Sequence, residues 1–286
     1  MTTEPINPKE ENQSVIATYI SRIQAFSKNA RLYLLSESVY GIATGVFQLL
    51  FNFYVLSLGY NEAFLGNMVA VRSMTSLLLA LPMGFLTDRI GRRNSIIISM
   101  AGFSTSVALL LLFPSSLMFI TMSIVQGVAQ SLSGIAMGPF LMENSEEKER
   151  TYLFSLSSGL RMTAISIGQW VGGYLPTWFA FRLAVNAMDT QAYSMSLWMV
   201  TISAVVALLP MLFVARRASN QFSRSVFAPL SFIRKNPGKF EKLILPNLIT
   251  SIGAGLIMPF MNVFFRTVHN QSDTSIGAIF AWGSLA

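Results

Sequence analysis

Three ionisable side chains of this 286-residue chain lie within long apolar runs: Glu37 about a turn and a half into the first, Arg72 near the middle of the second and Arg161 some ten residues into the fifth. A charge placed there is costly unless it meets an opposite charge, a polar cavity or a ligand, so each is a candidate for binding or proton transfer. Arg72 is the sharpest. With about ten residues of its run on either side, at roughly 1.5 Å each, its side chain cannot easily reach either surface. Two central guanidiniums favour a carboxylate-bearing or otherwise anionic small molecule; the competing reading gives each arginine an acid on a neighbouring helix. For Glu37, a proton-binding role competes with that of a carboxylate solvated from the nearer surface. Around these charges the polar residues are ordered. Glu37, Gly41, Thr44, Gln48 and Asn52 recur every three or four residues and share one helical face. Ser123, Gln126, Gln130 and Ser133 repeat the pattern, with Gly127, Gly134 and Gly138 allowing neighbouring helices close. Such stripes either line a water-filled path or hydrogen-bond to adjacent helices.

The elements that position these residues must be membrane spans. The chain is 52% hydrophobic and 12% charged, with a mean hydropathy of +0.53, too apolar for an ordinary soluble domain. Runs long enough to cross a bilayer lie at 33–58, 62–86, 95–113, 117–141, 152–180, 193–214 and 243–265, and another begins near Ser275. The expected fold is an all-α polytopic membrane protein. The net charge of +7 sits in the short links between the runs, so topology explains it and no nucleic-acid partner is implied.

The densest link is Gly84-Phe-Leu-Thr-Asp88-Arg89-Ile-Gly91-Arg92-Arg93-Asn94. Such a turn has no place in hydrocarbon and must surface between two spans. Gly84 allows a close helix approach, Asp88 can accept from backbone N–H groups at a helix N-terminus, and Arg89, Arg92 and Arg93 can pair with carboxylates. Together they form a latch of caps and ion pairs, which Glu143 or Arg150 of the next link on that side could join. Arg31, Lys148, Arg150, Arg216, Arg217, Arg224, Arg234, Lys235, Lys239 and Lys242 fall on the same side as this turn, and only Arg182 and Arg266 fall opposite. That asymmetry places the N-terminus in the cytoplasm.

The charged turn closely resembles the signature loop of the major facilitator superfamily, Gly-x-Leu-x-Asp-Arg-x-Gly-Arg-Arg between the second and third helices, with Gly84, Leu86, Asp88, Arg89, Gly91, Arg92 and Arg93 all matching. The resemblance implies two parallel six-helix repeats with a solute site between them, lined by the first and fourth helices. It implies a secondary transporter of the cell membrane that moves a small solute by alternating access, with proton coupling a family expectation. Two departures stand out. Ser123-Ile-Val-Gln126-Gly127 keeps the Gln-Gly of the family's fourth-helix Arg-x-x-Gln-Gly but lacks the arginine. Gly168-Gln169-Trp170-Val171-Gly172-Gly173 resembles the Gly-Pro-x-x-Gly-Gly of the antiporter branch with Gln169 in place of proline, leaving Gly168, Gly172 and Gly173 a packing role.

The expected organisation is a cytoplasmic tail over 1–32 with a surface-lying amphipathic helix at 15–28, a six-helix half over 33–214, a basic linker over 215–242 resting on anionic headgroups, and the start of a second half over 243–286. Laying the seventh run on the first brings Gly255 onto Gly45 and Asn262 onto Asn52, and one further residue of shift brings Gly277 onto Gly66. On this reading the chain is an incomplete member, and the rival reading is a non-transporting receptor or scaffold. No metal ligand set, phosphate loop or nucleophile motif appears, so neither cofactor nor enzyme is expected. With no cysteine, disulfides and thiolate sites are excluded, and the lone His269 reads as an exposed loop residue.

Overall fold

The computed structural model of the chain describes residues 26–215 and 237–285. The surface helix expected over 15–28 and most of the 215–242 linker lie outside them. The described chain folds into helices α1 (Lys28–Ser57), α2 (Glu62–Leu78), α3 (Ala80–Ile90), α4 (Arg92–Leu112), α5 (Ser116–Glu143), α6 (Glu147–Leu183), α7 (Thr190–Leu212), α8 (Pro237–Ile257), α9 (Met261–Thr267) and α10 (Asp273–Leu285), with a 3-10 turn, Met258–Phe260, before α9. Several starts are set by local chemistry. The side chains of Ser27, Asn61, Ser115 and Asp189 each accept from a backbone N–H of the first turn they precede.

α1, α4, α5, α7 and the run Leu245–Thr267 are each long and apolar enough to cross a membrane, and α2 with α3 forms a further span bent by 58°. The second run, expected as one span over 62–86, therefore breaks at Leu79. Pro82 is the cause: it has no N–H to give the Leu78 carbonyl, and its ring crowds that carbonyl. The seventh run passes through a 3-10 turn holding Pro259 yet still counts as a single span. α6, which carries the expected span 152–180, is the longest helix at 37 residues, but it is not among the helices apolar enough to cross by composition alone.

Successive spans alternate in direction, so the molecule has two ends. The near end holds Lys28, the α3–α4 turn, the end of α5 and the end of α7. The far end holds Ser57, the start of α7 and the α9–α10 turn. α1 runs through the middle, packed along α6 and α7, while α4 packs on α5 and α7 and α2 on α5. The closest crossing is α1 on α6, where Gly45 lies against the Ile165 carbonyl and Gly168 against that of Ile42; any side chain there would push the helices apart. One apolar cluster, around Leu49, Leu50, Phe53 and Tyr193, fills the far half. A second, around Tyr33, Phe140 and Met211, fills the near half.

The last helices join this bundle at the far end only. α10 lies along α6, where a Cβ on Gly173 would come within 2.7 Å of the Asp273 carbonyl oxygen and one on Gly277 within 2.6 Å of that of Gln169. Residues 245–257 of α8, toward the near end, are exposed on every side.

Candidate functional site: a polar seam with a clasp at each end

Midway along the bundle, Glu37 and Arg161 meet. Glu37 Oε1 on α1 lies 3.5 Å from Arg161 Nε on α6, with the acid side chain 11% exposed and the arginine side chain 51% exposed. Gly41, one turn further along α1, faces Ala164, one turn further along α6. This close contact lets the Glu37 carboxylate reach across. Tyr33 and Tyr40 flank the acid on α1, and Arg161 Nη1 approaches Met137 Sδ at 3.9 Å. One half-exposed guanidinium faces this enclosed carboxylate and keeps donors to spare for a second anion.

The other candidates separate. Arg72 is half-buried on α2 and has no hydrogen bond or ion pair among the described residues; its backbone carbonyl packs where a Cβ on Gly127 would stand 2.6 Å away. Gln126 is buried and donates to Ser106 Oγ at 3.1 Å, a helix-to-helix bond between α5 and α4. Gln48 and Gln130 are exposed. Gln169, in the place of the antiporter proline, accepts from Ser284 Oγ of α10 at 3.1 Å.

At the far end Asn52 donates to Asn262 Oδ1 at 2.9 Å, across 210 residues of chain. It also donates to the Pro259 carbonyl at 2.6 Å, while Asn262 donates to the Leu49 carbonyl at 2.8 Å. Leu49 and Pro259 share the same 210-residue offset, so each asparagine bonds the counterpart of the residue three before itself. The exchange is reciprocal, on the register by which the two runs superpose in sequence. Beside it Arg266 and Asp273 form an ion pair. The Tyr193 hydroxyl accepts from Arg266 Nη1 at 2.8 Å and donates to Asp273 Oδ2 at 2.9 Å. The guanidinium also lies over the Phe53 ring, Cζ 3.4 Å from its centroid. Sequence reading noted Arg266 only as a charge opposite the basic turn and singled out none of Asp273, Tyr193 and Phe53. Their one signal was an arginine and an acid flanking a short turn. His269 is exposed and meets the Phe264 ring edge-on, with centroids 5.2 Å apart.

At the near end Asp88 pairs with Arg92 at 2.7 Å, and Arg92 reaches Glu143 at 3.4 Å. Glu143 thus joins the turn's ion pairs. Arg93 donates to the Leu212 carbonyl at 2.7 Å and so caps the end of α7. Gly91 takes φ +87°, a left-handed value that suits the sharp turn from α3 into α4. Asp88 is largely exposed, and nothing among the described residues comes within 4 Å of a Cβ on Gly84. Next to this turn the Asn29 carboxamide accepts from Ala215 N at 3.0 Å and donates to Ala215 O at 3.3 Å. It also reaches Asn144 Oδ1 at 2.9 Å.

Helices long and apolar enough to cross a membrane, running in alternating directions, define a polytopic α-helical membrane protein. The chain belongs to the Major Facilitator Superfamily, whose family model matches residues 33–286. It is 24% identical over 169 residues to an uncharacterized MFS-type transporter, YqjV, of Bacillus subtilis (strain 168), a match that covers 59% of this chain and 40% of that relative. The alignment therefore takes in less than half of the relative's length.

Proposed function

We propose that the protein works as a secondary transporter, carrying a small solute across the cell membrane by alternating access with its N-terminus in the cytoplasm. The observation that carries this reading is the Glu37–Arg161 pair, an enclosed carboxylate and a half-exposed guanidinium inside a membrane bundle. Hydrocarbon repels such a pair, and a purely structural pair would enclose both partners, so the exposed side of Arg161 faces a polar path. Arg161 binds the anionic group of a solute, and Arg72, free of partners among the described residues, gives a second positive contact. Protonating Glu37 removes its hold on Arg161 and strengthens the guanidinium's grip on the solute, which couples proton and solute movement. The Asn52–Asn262 clasp holds the far end closed, the side away from the cytoplasm on this reading.

The test is solute-driven proton movement in vesicles holding the full chain, screened over small carboxylates and phosphates. Glu37→Gln is expected to abolish proton movement yet permit solute exchange, and Arg72→Gln to abolish exchange while leaving insertion intact. Wild-type affinity and proton movement in both variants would overturn the assignment.

A further inference from the structure

At the far end the charges are divided between segments in an informative way. Arg266 and Asp273 belong to the same stretch, α9 and the start of α10, and they neutralise each other. The bundle of α1 to α7 offers them only uncharged groups, the Tyr193 hydroxyl and the Phe53 face. Had the acid and the base stood on opposite sides, opening this end would separate two charges already stripped of water. Here the ion pair moves as a unit, and parting breaks hydrogen bonds and a ring contact that water readily replaces. The asparagine exchange beside it is uncharged as well. Tyr193 is the common point: one hydroxyl accepts from the arginine and donates to the acid, and its ring is 1% exposed within the far apolar cluster.

We propose that Tyr193 is the latch of a far-end gate, a single hydroxyl that holds the neutral Arg266–Asp273 pair against the bundle and sets how often this end opens. The inference rests on the alternating-access reading, but its test needs no solute. The chain has no cysteine, so a cysteine placed at Ile276, fully buried near the start of α10 in the far apolar cluster, is the single thiol in this chain. Its labelling by a membrane-impermeant maleimide, applied to the full chain in vesicles of each orientation, reports opening of the far end. Tyr193→Phe keeps the ring and deletes both bonds, leaving Asp273 one donor short in the closed state. Labelling from the far side is expected to rise about tenfold, while labelling of a second single cysteine at the exposed Lys242 stays unchanged. An unchanged far-side rate in a stably inserted Tyr193→Phe protein overturns the latch. If that variant does not accumulate, Asp273→Asn, which turns the charged acceptor into a neutral one, is judged by the same rate and the same threshold. A raised rate in a protein that moves no solute under any condition would unseat the transport reading and leave the latch standing.

Discussion

The two ends of the molecule are tied by different chemistry. At the far end the ties run between the first seven helices and the α9–α10 stretch, through buried carboxamides, a buried hydroxyl and a charge pair that is neutral as a whole. At the near end the arginines of the α3–α4 turn bind Asp88, Glu143 and the end of α7, beside the buried Asn29–Asn144 amides, all ahead of α8. A buried hydrogen bond is expensive to leave half-made, whereas an exposed ion pair is screened by water and salt. The conspicuous charges therefore contribute little holding energy, and the inconspicuous amides contribute more.

That contrast can be broken by ranking three substitutions. Asn262→Ala strands the Asn52 amide and the Leu49 carbonyl, and is expected to cost about 1–3 kcal/mol in thermal unfolding of the purified chain. A double variant with Asn52→Ala should lose clearly less than the two single losses combined, because both remove one network. Next comes Asn29→Ala, at about 1 kcal/mol, which frees both backbone groups of Ala215 near the surface; limited proteolysis just after Ala215 should quicken alongside. The smallest effect is expected of Asp88→Asn, below about 0.5 kcal/mol, since its carboxylate side chain is 61% exposed. If Asp88→Asn proved as costly as Asn262→Ala, the division between the ends would not hold.

Much of the fold was legible beforehand, because hydrophobic run length and turn charge report directly on spans. The paired runs were legible too: Asn52 and Asn262 superpose in sequence and touch in space. The bend at Leu79 was missed although Pro82 was in plain view, since a run judged by apolarity alone ignores a missing N–H. The pairing of Glu37 with Arg161 could not be read, because nothing local says that α1 crosses α6 at Gly41 and Gly45 rather than another helix. Gln126 carried a signal with two meanings, and only the presence of Ser106 opposite it decides for a helix-to-helix bond. Tyr193 gave no sign, because a tyrosine at the start of an apolar helix is ordinary until an arginine and an acid are brought to it by another part of the chain.

The reciprocal asparagine contact has the form of a two-fold dimer interface folded into one polypeptide: the residue at one position meets its own counterpart, and the acceptor given by one side is returned by the other. In a contact of that form, a single codon change in a chain that met a copy of itself would install both asparagines at once, and tandem duplication would then preserve the pair without further mutation.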